Sequence, residues 1–214
     1  MSGVGYHLRL LLARQSAVPP VLAVLAVLAV LYATDAGPPV AAGALTAAIL
    51  VPVTAWLHRA VTGAESPPFA DATLVRLGGG VRRQLTWCAT TLLVGAALGA
   101  VSVLWAVVAN PHPYPVATVA LLALLHAVGA WAGTGLGCLV SRPLRVRTGT
   151  AVLVVTGGCA LSLAVPWLPP AGPLLAAFAS AQASTADRVG ALAAAVAFGA
   201  LAAVAGTWWG LRHR

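Results

Sequence analysis

The chain alternates between long apolar runs and short polar gaps. Six runs stand out: Ala17–Thr34, Pro39–Leu57, Thr86–Ala109, Val116–Val140, Thr150–Leu168 and Val189–Leu211. None contains Asp, Glu, Lys or Arg. About 20 apolar helical residues cross a bilayer core, so each run is long enough or nearly so. Lipid offers no partner for bare backbone N–H and C=O groups, which makes helices the expected way across. The pattern predicts an all-α membrane protein of six transmembrane helices in one domain, residues 1–214.

The segments between the runs have their own patterns. Residues 4–16 place Val4, Leu8, Leu11 and Leu12 on one helical face, flanked by Arg9 and Arg14; this predicts a short interfacial helix. Pro19-Pro20 mark a helix start. Asp35-Ala36-Gly37-Pro38-Pro39 and Asn110-Pro111-His112-Pro113-Tyr114-Pro115 read as tight turns. After Pro169-Pro170, Leu174–Ala183 is apolar but too short to span, which predicts a re-entrant outer segment before the last helix. Gly129, Gly133 and Gly137 recur every four residues on the fourth run, a spacing that lets helix backbones approach closely. Gly95/Gly99 and Gly206/Gly210 repeat the spacing once each.

Charge gives the runs a direction. All twelve basic residues are arginine. Arg9, Arg14, Arg59, Arg76, Arg82, Arg83, Arg142, Arg145, Arg147, Arg212 and Arg214 fall in gaps on one side of a six-span alternation, and Arg188 falls on the other. The positive-inside rule then predicts that both termini are cytoplasmic. Trp56, Trp87, Trp208 and Trp209 mark the inner ends of their runs, and Tyr32, Tyr114 and Trp167 the outer ends. The composition, 60% hydrophobic and 7% charged, leaves no room for a second, soluble domain. The net charge of +8 is explained by topology and by contact with anionic lipid headgroups, so no nucleic-acid partner is expected. The absence of lysine beside abundant Ala, Val, Gly and Arg suggests a GC-rich bacterial genome and a bacterial plasma membrane. Ala33-Thr34-Asp35 offers no cleavage site, so the first run is expected to remain as a helix.

Candidate chemistry is sparse. Cys88, Cys138 and Cys159 all lie inside runs, without a C-x-x-C, and read as small buried residues. His126 is the one ionisable side chain deep in a run and is read as a neutral imidazole bonded to a neighbouring helix. No clustered carboxylates, paired histidines or serine-protease context are evident, so no metal, haem or catalytic site is expected. With Thr46, Thr54 and Ser102, His126 is one of the few polar groups available to line a pathway.

The longest gap, His58–Leu85, exceeds what a hairpin needs. Within it, Phe69–Leu77 can form a short helix with Asp71 near its start, ended by Gly78-Gly79-Gly80. The stretch Thr73-Leu74-Val75-Arg76-Leu77-Gly78-Gly79-Gly80-Val81-Arg82-Arg83-Gln84-Leu85 resembles the cytoplasmic loop of ABC type-2 transporter permeases. Ala72 stands where that family has Gly, and Gly80 where it has Pro. The six-span layout, the basic N-terminal segment and the re-entrant outer segment also resemble that family. The resemblance implies a coupling helix seated in a groove of a separate ATPase subunit. Phe69, Leu74 and Leu77 would pack into the ATPase, and Asp71, Arg76, Arg82 and Arg83 would make polar contacts. A P-loop needs a lysine for the phosphates and this chain has none. ATP and Mg would therefore be bound by the partner, and this chain would be a transport subunit with no cofactor of its own. A second permease copy or a paralogue would complete the pathway, and the implied activity is export of a hydrophobic or amphipathic solute such as a drug, antibiotic, peptide or lipid. The competing expectation is the substrate-capture membrane subunit of an energy-coupling vitamin importer, which would lack the long loop and use small residues to contact a coupling protein.

Overall fold

The computed structural model describes residues 3–141 and 146–212, except the side chains of Pro67 and Pro68; Arg142, Arg145 and Arg214 lie outside the described residues. Helix accounts for 81% of the structure, and no strand occurs among the described residues. In order the helices are α1 (Gly3–Ala13), α2 (Val18–Leu31), α3 (Pro39–Thr62), α4 (Pro67–Leu77), α5 (Gly80–Ala109), α6 (Val116–Leu139), α7 (Thr148–Val152), α8 (Gly158–Ala164), α9 (Gly172–Ala179) and α10 (Thr185–Arg212). A π-helical turn, Leu153–Gly157, joins α7 to α8 into one rod.

Among the described residues, α3, α5, α6 and α10 are each long and apolar enough to cross a membrane, and the bent pair α1–α2 makes a fifth if it counts as one span. The first and fifth expected spans are shorter than their runs. Helix α2 has 14 residues, about 21 Å of rise, and bends 78° from α1. The bend falls where Pro19 and Pro20 occupy the first turn of α2: proline lacks an N–H and clashes with the preceding turn, so a new helix begins there. The rod Thr148–Ala164 is about 26 Å long.

Close approaches at glycine fix the helix directions. A Cβ on Gly129 would meet the carbonyl oxygen of Ala47; on Gly133, that of Val51; on Gly137, that of Ala55. Both series ascend together, so α3 and α6 run parallel. The expected glycine stripe is thus an internal seam, four residues per step on both helices. Gly135 lies against Gly199, and Cys138 against Gly206, so α10 runs parallel to α6. Gly95 faces Ala130 and Gly99 faces His126, a descending series, so α5 runs antiparallel to both. Because α6 and α10 share a direction, the chain between them must return from one end of the bundle to the other, and the α7–α8 rod makes that return. Central α3 has 67% of its apolar window buried, against 28% for peripheral α10.

At the end of the bundle carrying α4 stand Arg59, Arg76, Arg82, Arg83, Arg147 and Arg212; Arg188 stands at the opposite end. There, Asn110 Nδ2 donates to the Gly37 carbonyl (3.2 Å) and to Tyr114 Oη (2.9 Å), tying the two predicted turns together. The short apolar stretch after Pro169-Pro170 folds into α9, packed on α3 and α10 at that end. The Ser162 hydroxyl accepts from the N–H groups of Ala171 (2.9 Å) and Gly172 (3.0 Å), satisfying two donors at the start of α9.

Candidate functional site

The α4 end of the bundle holds most of the chemistry. Helix α4 stops at Gly78, left-handed at φ +74°, where the Gly78 N–H bonds Val75 O and the Gly79 N–H bonds Leu74 O, both at 3.1 Å. This closing motif favours glycine, and Gly79 at φ +125° requires it. The helix does not float. Leu77 packs on Gly3 of α1, and Arg83 Nη1 donates to the Ala70 carbonyl at 2.9 Å.

This anchoring divides the expected coupling residues. Phe69 is 65% exposed; Asp71, Arg76 and Arg82 also face outward. Leu74 and Leu77 are half-buried toward the bundle, and Arg83 is buried with its guanidinium 4.8 Å from the Trp87 ring. Val75, not among the expected ATPase contacts, is 81% exposed on the outer face. A cleft of about 330 Å³ lies between α1 and α4, walled by Tyr6, Phe69, Thr73 and Arg76.

Helix α1 docks through a polar knot. Its buried face carries Gly3, His7 and Leu11, whereas Leu12, expected on that face, is 64% exposed. His7 Nδ1 donates to Gly3 O (2.8 Å), and Trp87 Nε1 donates to His7 Nε2 (2.9 Å). A carboxyl oxygen of buried Glu65 lies 3.2 Å from the same Nε2. Trp87, read from the sequence as an interfacial marker, is therefore a buried hydrogen-bond donor.

A lateral groove of about 480 Å³ opens between α5 and α10 at this end, with α6 as its floor. Its walls are almost wholly apolar: Leu85 and Val81 on one side, Val204, Trp208 and Leu211 on the other. Trp131 lies on the floor and donates Nε1–H to the Val196 carbonyl at 3.0 Å. Gln84 and Cys88 also line it, and behind them is a group the sequence did not join. Cys88 Sγ is 3.8 Å from Cys138 Sγ, and Cys138 Sγ is 3.5 Å from His58 Nε2. Three helices, α3, α5 and α6, thus bring one imidazole and two thiols together, with ligand atoms within 4.8 Å of one another. Cys88 and Cys138, expected as separate small residues inside their runs, thus lie side by side with a histidine, whereas Cys159 lies outside the cluster. Gln84 and Cys88, at i and i+4, share a face of α5, which is a weak sequence cue; nothing local in the sequence says that Cys138 or His58 faces them.

The expected pathway residues are all buried away from this groove. His126 Nδ1 donates to Leu122 O (2.7 Å), and its Nε2 lies 3.1 Å from Thr46 Oγ1 across the α3–α6 seam, the neighbour-helix pairing expected of it. Thr54 donates to Leu50 O (2.8 Å) and Ser102 to Leu98 O (2.9 Å), both within their own helices. These hydroxyls bond backbone inside packed helix contacts. Comparison with protein-family models, curated proteins and solved structures finds no match to this chain.

Proposed function

We propose that this chain is the membrane subunit of an ABC exporter of the type-2 permease class in a bacterial plasma membrane, with six crossings and both termini cytoplasmic. In this reading α1–α2 supplies the interfacial helix and the first crossing, and the α7–α8 rod supplies the fifth. A separate ATPase subunit binds ATP and Mg, and a second permease copy or a paralogue completes the pathway. The solute is hydrophobic or amphipathic: a drug, antibiotic, peptide or lipid.

The observation that carries the reading is α4. It is a short helix tied to the bundle at the arginine-rich end by Leu77 and by the Arg83 hydrogen bond, yet it turns Phe69 and Val75 outward. A solvated connector gains nothing from such a mount, whereas a lever that transmits force needs a stiff attachment and an apolar face for its driver. The apolar lateral groove at the same end suits uptake of a greasy solute from the adjoining leaflet. The glycine stripe is consumed internally by α3, which favours this reading over the vitamin-importer subunit and its small-residue contacts.

The test is co-expression with an ABC ATPase subunit from the same genome, purification in lipid nanodiscs, and measurement of ATP hydrolysis. The wild-type pair is expected to co-purify, while Phe69→Asp/Val75→Asp releases the ATPase with the fold intact. Full association of that double variant, or nucleotide-independent transport by the isolated subunit, defeats the proposal.

A further inference from the structure

We propose that His58, Cys88 and Cys138 form a zinc site at the α4 end of the bundle, with the Gln84 side chain at the fourth position. The inference is independent of the transport reading.

Geometry is the first argument. Zinc bonds to sulfur at about 2.3 Å and to imidazole nitrogen at about 2.0–2.1 Å, so a tetrahedral centre sets S···S at about 3.8 Å and S···N at about 3.6 Å. The structure has 3.8 Å between the thiols and 3.5 Å between Cys138 Sγ and His58 Nε2, with the third edge, Cys88 Sγ to His58 Nε2, within 4.8 Å. The Gln84 amide nitrogen completes the figure, at 3.2 Å from Cys138 Sγ, 3.4 Å from His58 Nε2 and 3.8 Å from Cys88 Sγ. A half-turn of the terminal amide presents Oε1, a ligand-competent oxygen, in that place.

The imidazole is already set for ligation. The Thr91 hydroxyl donates to Trp87 O at 2.9 Å, so its oxygen is left to accept. It lies 3.1 Å from His58 Nδ1, which therefore carries the ring proton. That leaves the Nε2 lone pair directed at the thiols. An outer hydrogen bond fixing the tautomer is a general feature of metal-bound histidine. Gly137 packs against the His58 side chain and further restricts the ring.

Charge selects the ion. Soft thiolates with imidazole suit Zn(II) or Cu(I). Binding Zn(II) expels one proton from each thiol and leaves a neutral centre. Cu(I) with the same two thiolates leaves a net negative charge in an apolar bundle, which is costly. The site is reachable: Gln84 and Cys88 both line the lateral groove.

The test uses the full-length protein in lipid nanodiscs, reduced and stripped of metal, titrated with zinc against a chromophoric chelator while proton release is followed. Expected are one zinc per chain with two protons released, and a cobalt-substituted form showing thiolate-to-metal charge transfer. Cys88→Ala, on the groove wall, abolishes uptake. Thr91→Val keeps every ligand and weakens zinc binding roughly 10–100-fold. Cys159→Ser, outside the cluster, changes nothing. Circular dichroism and size-exclusion profiles identify any variant that misfolds, and Thr91→Val still tests the site should Cys88→Ala fail. Absence of stoichiometric uptake, uptake indifferent to Cys88→Ala, or capture of Cu(I) with refusal of Zn(II) overturns the assignment.

Discussion

The α3–α6 seam gives the sharpest stability prediction, through Gly133→Ala. A methyl at this position would strike both the Val51 carbonyl and the Thr54 hydroxyl of α3. The Val51 oxygen belongs to a helix backbone and cannot rotate aside. Thr54 is itself fixed by its bond to Leu50 O at 2.8 Å. The helices must therefore separate locally, losing dispersion contacts at the neighbouring Gly129 and Gly137 steps. Overpacking of this kind costs about 1–3 kcal/mol. The proper control is Gly190→Ala on α10, where an added methyl meets nothing within 4 Å. There the helix gains roughly 0.5–1 kcal/mol from reduced backbone freedom. The two substitutions are chemically identical, so opposite signs isolate packing from propensity. Reversible unfolding of the full chain in mixed micelles, followed by circular dichroism, measures both. A Gly133→Ala protein within 0.5 kcal/mol of wild type, or equal losses for both variants, would refute the seam.

Three further outcomes follow from named contacts. Arg59 bridges the Val140 carbonyl, the Val146 carbonyl (2.9 Å) and Thr148 Oγ1 (3.3 Å); a hydrogen bond to a charged group contributes about 1.5–3 kcal/mol and bonds sharing one guanidinium are not additive, so Arg59→Ala should lose at least about 3 kcal/mol in thermal unfolding, and Arg59→Lys should restore less than half, because one ammonium cannot span the same acceptors. Trp87→Phe removes the donor to His7 and should release α1 first; hydrogen exchange over residues 3–13 rising with no change in α6 is the expected pattern, and uniform exchange would contradict it. Impermeant thiol labelling of Asp35→Cys and Val75→Cys, in oriented vesicles and against the wild-type background, should mark opposite faces of the membrane, as should Arg147→Cys and Ser180→Cys; labelling of either pair from one face would remove a crossing.

Hydropathy alone set the all-helical class and the positions of α3, α5, α6 and α10, and Asp71 with the Gly78-Gly79-Gly80 stop marked the short helix between α3 and α5, because all of these depend on neighbouring residues. The glycine spacing told which face of α6 would meet another helix, since i and i+4 share a face whatever the partner. Tertiary structure alone decided that the partner is α3 and that it runs parallel. It also split the α4 residues into a mounted face with Leu74 and Leu77 and an outward face with Phe69 and Val75, because a single turn of helix looks the same in sequence whichever side is docked. Cys88 and Cys138 lie fifty residues apart, and His58 thirty residues before the first. Their meeting depends on the relative rotation of three helices about their axes, a quantity no local pattern encodes.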